Sequence, residues 1–267
     1  MDQWVDVYNQ EMKRVHGFIP LSKNKLEHML PLLRKHGAEL ILALEGHQPS
    51  AVCSYIMDHK SLHARILDLV VLSLRPNGGL SIIDSVLSKS RNSGMERMAC
   101  WIPVSLSTSL DVLGEYLFTP EVGSVLMKCD MRARPSGKDV DIVENSSSDK
   151  SELALLPLSE PLQISSLLHD YAGKWNLAFT TREYGLPTGF DVYLSNKYRR
   201  DAWVFSSFRN GKPYQECLLS TLGLLYDRGV RVVHTETEVA YHRRTPFDAC
   251  GFCEVSTAFE MTFGFER

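Results

Sequence analysis

Apolar residues recur at helical spacing from Trp4 to Val15 (Trp4, Val5, Tyr8, Met12, Val15) and from Lys23 to Leu33 (Leu26, Met29, Leu30, Leu33), and Gly37 stops the second run. Two amphipathic helices therefore open the chain. The apolar runs ELILALE (39–45) and AVCSYIM (51–57), separated by GHQPS, predict a hairpin, and ARILDLVVLSL (64–74) predicts a third strand. After the loop RPNGG, Ile82, Ile83, Val86 and Leu87 line one face of a helix, with Asp84, Ser85, Ser88 and Lys89 elsewhere and Gly94 at its C-terminal stop. A strand over 97–104, a short helix over 109–116 and a strand over 124–131 complete the order α, α, β, β, β, α, β, α, β.

From Arg132 to Ser151 the chain loses apolar content and gathers Ser, Asp, Lys, Pro and Gly, a linker composition. The expected division is a first domain over 1–133, a linker over 134–151 and a second domain over 152–267. The second half predicts a helical run near 162–171, strands near 175–181, 190–194 and 201–208, a helix ending at Tyr226 and stopped by Gly229, a strand over 230–239, a helical turn near 246–250 and a final strand over 257–263.

The two halves echo each other. Val70 and Arg75 recur as Val204 and Arg209, 134 positions on; Ile83, Leu87 and Gly94 recur as Leu218, Leu222 and Gly229, 135 on; Phe118 and Met127 recur as Phe252 and Met261, 134 on. A fixed separation held through strand, loop, helix, glycine and strand reads as two copies of one α/β unit.

The chain has 267 residues, 44% of them hydrophobic and 23% charged, an ordinary globular composition with room for two domains. A net charge of −3 gives no general attraction to nucleic acid or anionic membrane, and neither is expected as a partner. No run approaches the roughly 20 apolar residues of a membrane helix, and MDQWVDVYNQ lacks the regions of a signal peptide, so a cytoplasmic location is expected. Cys53, Cys100, Cys129, Cys217, Cys250 and Cys253 read as free thiols.

A strand ending in an Arg- and Gly-containing loop that opens into a helix sets free N–H groups at a positive dipole end, which suits a pyrophosphate. Asn77 is the expected N-cap, Gly78 and Gly79 permit close backbone approach, and Arg75 adds charge. The same residues also suit an ordinary glycine turn carrying a surface Arg.

The strand, loop and helix resemble the acetyl-CoA site of the GNAT family, the GCN5-related N-acetyltransferases, whose signature is Arg or Gln, two residues, Gly, one residue, then Gly or Ala. Arg75-Pro76-Asn77-Gly78-Gly79-Leu80 matches at Arg75 and Gly78 and departs at Leu80. The run ILDLVV containing Val70, the helix IIDSVL and the Leu117-Phe118 to Met127 ending are similar to the family too. In the second copy Arg209, Gly211 and Tyr214 span the corresponding loop with altered spacing, and Cys250-Gly251-Phe252 to Met261 matches the family's ending better. The resemblance implies an α/β (α+β) fold of two tandem GNAT-like acyl-CoA N-acyltransferase domains, each a mixed sheet flanked by helices. Such domains usually begin with a strand, which segment 140–143 or a partner would have to supply.

The resemblance also implies acetyl-CoA as co-substrate and no metal. Family acid/base groups are a carboxylate on the central strands and a Tyr before the last strands, but that Tyr falls at Leu113 and Phe247. Tyr116 and Tyr241 are the possible substitutes, although each reads more readily as a packed tyrosine with a satisfied hydroxyl. Asp68 is the candidate base in the first copy, or a strand-edge carboxylate facing water. Glu236 is the candidate in the second, sharing a strand face with His234 and Glu238, which either lines a cleft or meets solvent. Cys250 and Cys253 with His234 and His242 lack the tight ligand pairs of a zinc site.

The leading expectation is transfer of an acetyl group from acetyl-CoA to a primary amine of a small or amino-acid-like molecule, with a homodimer left open. The alternatives are a catalytically degenerate GNAT-like binding or regulatory protein and, more distantly, a Fem-like aminoacyltransferase.

Overall fold

A computed structural model describes residues 1–15, 18, 20–35, 37–136, 142–145, 177–183, 186–196, 201–206, 214–238 and 241–265. Contacts group the chain into two compact units, Met1–Gly123 with Ser256–Arg267, and Ser124–Val255. These are not the consecutive stretches 1–133 and 152–267, because two strands change unit along their length.

The first unit contains α1 (Asp2–Met12), α2 (Lys23–Lys35), β1 (Glu39–Glu45), β2 (Gln48–Asp58), β3 (His63–Val71), α3 (Asn77–Asn92), β4 (Arg97–Pro103), α4 (Ser107–Glu115) and the start of β5 (Thr119–Asp130). Helix and strand order follow the hydrophobic pattern. Strands β1, β2 and β3 pair antiparallel in turn, β3 runs parallel to β4, and β4 pairs antiparallel with the end of β11 (Cys253–Gly264), from Ala258↔Pro103 to Gly264↔Arg97. On one face the α3 stripe of Gly78, Ile82, Val86 and Ser90 is buried, and Ile82, Ile83 and Val86 share a core with Leu69, Val71, Met98, Cys100, Ile102 and Met261. Helix α1 lies on the opposite face, against β2 and β3.

The second unit contains the end of β5, β6 (Ile142–Asn145), β7 (Leu177–Glu183), β8 (Leu186–Asn196), β9 (Asp201–Ser206), α5 (Tyr214–Asp227), β10 (Val232–Glu238) and α6 (Tyr241–Ala249). Its strand order is β5-β10-β9-β8-β7-β6, with β9 and β10 parallel and the rest antiparallel. Segment 140–143 does not complete the first unit, since Ile142–Asn145 pairs with β7. The helical run expected near 162–171 lies outside the described residues.

The echo between the halves has a structural counterpart. β5 and β11 are each 12 residues long and start 134 positions apart. Gly94 and Gly229 both take positive φ, 72° and 88°, as do Leu117 and Gly251, 61° and 84°. Met127 and Met261 exchange cores. Met261 packs with the first unit's residues and Met127 with the second's, while Phe118 and Phe252 stay with their own.

At the parallel strands the correspondence shifts. The last parallel pair is Ile66↔Cys100 in one unit and Val204↔Thr235 in the other. Cys100 and Thr235 are 135 apart but Ile66 and Val204 are 138 apart, so Val204 stands where Ile66 stands and not where Val70 does. The connection from β9 to β10 is three residues shorter, which alignment on Arg75 and Arg209 conceals.

Ending the chain at Val255 is expected to remove the cooperative unfolding of the first unit although residues 1–123 remain. It bares the β4 edge and strips Met261 and Phe265 from the core, at about 2–5 kcal/mol for each large side chain. Thermal unfolding followed by circular dichroism, with hydrogen exchange at β2 and β3, checks this.

Candidate active site

Strands β3 and β4 hold together over only four residue pairs and then part. The parting begins at a bulge, since Ser54 pairs with Asp68 but Tyr55 with Ile66, leaving Leu67 as the extra residue. Beyond it Val71 N–H donates to Ser109 Oγ of α4 at 3.2 Å, and Leu72 N–H to Ser50 O at 2.9 Å. The loop then enters α3.

At that helix start Pro76, not Asn77, is the N-cap residue and no side chain caps it; Asn77 is the first helical residue, and its Nδ2 donates to Glu45 Oε1 at 3.1 Å. The N–H groups of Gly79 and Leu80 are bonded to Pro76 O at 2.9 and 3.2 Å, so the amides of Asn77 and Gly78 stand at the helix's positive end. Arg75 bonds Pro49 O at 3.3 Å and Gln48 Oε1, which sets its charge beside the helix end. These groups fit a pyrophosphate. The Glu45 carboxylate at the same end opposes one.

The glycines serve packing of the helix on the sheet. A Cβ on Gly78 would lie 1.9 Å from Ser50 Oγ, and one on Gly79 2.7 Å from Val71 Cγ2. Val70, paired with Val52, is 1% exposed on the other sheet face.

Asp68 lies two residues past the last parallel pair, on the face that α1 covers. Its carboxylate accepts Ser54 Oγ–H at 2.6 Å and shares a hydrogen bond with the Tyr8 hydroxyl. Burial raises its pKa above 3.8, against the opposing pull of these two hydrogen bonds. Burial and the neighbouring Asp68 hold the Tyr8 hydroxyl well above 10. Tyr8 and Ser54 were not singled out from the sequence, where Tyr8 reads as part of an apolar helix face.

Tyr116 is engaged elsewhere. Its hydroxyl donates to Leu80 O at 3.0 Å, and burial with Asp84 nearby pushes its pKa to about 12. In the second unit Glu236 lies one residue past the last parallel pair and accepts a hydrogen bond from Ser124 Oγ. His234 is 4% exposed, with Nε2 3.8 Å from Asp201 Oδ2. By the strand register Ser206 stands where Asp68 stands, and Trp101 where Glu236 stands, so each unit carries one carboxylate at its parting, on different strands. Arg209 and Gly211 lie outside the described residues; Tyr214 and Tyr241 start α5 and α6, and only their backbone is described. Among the described residues no group of three or more His, Cys, Asp or Glu could hold a metal ion, and no helix is long and apolar enough to cross a membrane.

Solved structures of other proteins superpose on nearly the whole of this chain. The chain has the fold of the GCN5-related N-acetyltransferases. A tandem GNAT protein from the clavulanic acid biosynthesis pathway, solved without acetyl-CoA, superposes with a TM-score of 0.69 at 14% identity, over 98% of this chain and 94% of that one. A GCN5-related N-acetyltransferase from Sphaerobacter thermophilus gives 0.63 at 13% identity, over 98% and 91%. A GCN5-related glucosamine N-acetyltransferase region in a fungal multi-domain β-N-acetylglucosaminidase gives 0.68 at 15%, over 98% of this chain and 37% of that one. No family model and no curated protein matches the sequence, so the GNAT likeness is one of backbone.

Two outcomes follow from this geometry. Gly78→Ala is expected to cost about 1–3 kcal/mol through overpacking on Ser50, with part recovered by adding Ser50→Gly; urea midpoints measure both. Because the folded Asp68 pKa is raised, the stability it confers is full below the unfolded value of 3.8 and is lost as pH rises through the folded value. Asp68→Asn is expected to flatten that decline in urea midpoint as pH rises above 3.8.

Proposed function

We propose that the protein transfers an acetyl group from acetyl-CoA to a primary amine of a small or amino-acid-like molecule, with the first unit as the working site. The observation that carries this reading is Asp68, an enclosed carboxyl with a raised pKa, two residues beyond the last β3–β4 pair on the face away from α3. A carboxyl so placed acts as the base that removes the amine proton.

Acetyl-CoA supplies the activated acetyl thioester. Its pyrophosphate fits the Asn77 and Gly78 amides with Arg75 beside them. The fungal glucosamine N-acetyltransferase region among the similar folds supports a small amine as acceptor. One specific observation favours a catalytically degenerate binding protein instead. Val71 N–H at the parting is already satisfied by Ser109, which is 0% exposed.

Calorimetry with acetyl-CoA tests the proposal. Wild-type binding is expected to weaken about tenfold in Arg75→Ala and to tighten about two- to fivefold in Glu45→Gln, as removal of a like charge at a helix N-terminus requires. Absence of binding at millimolar acetyl-CoA, with the fold intact, would leave the degenerate reading.

A further inference from the structure

The hairpins β1–β2 and β7–β8 correspond residue by residue. β1 and β7 are each 7 residues long, β2 and β8 each 11, and both strands of the second hairpin start 138 positions after those of the first. Glu39↔Tyr55 and Leu44↔Pro49 in one are Leu177↔Tyr193 and Arg182↔Pro187 in the other, and the irregularity after Ala43 recurs after Thr181. The two hairpins are one structure made twice. They differ in what lies beyond them. β7 pairs on its far side with β6, from Ile142↔Thr181 to Asn145↔Ala178. The same positions in the first hairpin are residues 40–43, and among the described strands β1 has β2 as its one neighbour.

A strand edge meant to meet water is guarded by charge or proline along its length. β1, ELILALE, carries its two glutamates at its ends and five apolar residues between them. Ile41 and Ala43 pack against the first core, and Leu44 is 52% exposed. Glu39 is engaged by Lys89 Nζ at 2.7 Å, whereas Glu45 is bonded by the neutral amide of Asn77. Exposed Arg34 precedes the strand and Glu45 ends it, so the edge is basic before its start and acidic at its end. An antiparallel copy of β1 reverses that order and brings opposite charges together at both ends.

We propose that β1 is a self-association edge, on which a second copy of this chain lays its own β1 antiparallel across a two-fold axis. Charge selects the register. With Leu42 opposite itself, Glu39 of one copy faces Glu45 of the other, and like charges directly opposed destabilise a pair. With Ile41 opposite itself, Leu40 faces Leu42, Glu39 faces Ala43, and Glu45 comes opposite Gly37. Gly37 N–H is bonded to Arg34 O at 2.9 Å, so Arg34 lies one turn from the place where Glu45 of the other copy arrives. The paired stretch 39–43 includes residues 40–43, whose counterparts β6 covers in the other hairpin. Such a contact is isologous: each interaction occurs twice and the assembly closes at two chains.

Sedimentation velocity on the full chain tests this, with a mass twice 30.2 kDa expected as concentration rises through the micromolar range. Hydrogen exchange at the amides of residues 40–43 is expected to slow over the same range. Arg34→Glu is expected to weaken the dimer at least about tenfold, and Glu45→Arg added to it restores association. In a Cys253→Ser background, which removes the exposed native thiol, Ile41→Cys is expected to form a disulfide with its own copy when oxidised glutathione is supplied, whereas Leu44→Cys, set off from the axis, is not. A monomer at every concentration overturns the proposal: protected amides at residues 40–43 then mean that another stretch of the same chain covers the edge, and unprotected ones that the edge stands free. A dimer that Arg34→Glu leaves intact, or that Ile41→Cys does not link, associates through another surface and overturns it too.

Discussion

Four pairs of parallel backbone hydrogen bonding hold β3 to β4, and every backbone group beyond them must find another partner. Much of the first unit is arranged to meet that demand. Ser109 of α4 receives Val71 N–H, Ser50 of β2 receives Leu72 N–H, and Thr257 of the last strand receives Val104 N–H at 3.0 Å. Helix, hairpin and final strand are each fixed by the same gap. The bulge at Leu67 begins it, and it also sets the register that turns Asp68 onto the face that α1 covers.

Charge is distributed unevenly around this gap. On the α3 side a helix dipole and Arg75 favour an anion, while Glu45 subtracts from that preference. On the α1 side burial raises the proton affinity of a carboxyl, while the hydroxyl of Ser54 pulls it the other way. The two sides of one strand thereby present opposite electrostatic tasks. Sheet alternation separates them with no intervening element.

The element order of the first unit was legible because helices announce themselves by their apolar stripes and glycines mark their stops; Gly94 takes the positive φ that a C-terminal stop requires. Asp68 was legible as a charge inside an apolar strand. Tyr8 was not, since a tyrosine among Trp4, Val5 and Met12 counts as apolar and nothing local says what its hydroxyl meets. Alignment on Arg75 and Arg209 misjudged the strands because loop length, not strand register, absorbed the difference. The exchange of Met127 and Met261 was invisible for a deeper reason. Periodicity specifies which face a residue turns inward, and it carries no information about which sheet that face belongs to.

That exchange has a bearing on how the chain is made. Pro103 finds its partner in Ala258, 155 positions later, so the first unit cannot close on the ribosome when its own helices and strands have emerged. Its core waits, with one edge bare, until nearly all of the second unit has been synthesised. Contacts of such long range slow folding and prolong exposure of that edge. The first unit therefore completes its fold only after the stretch that forms the second has been made.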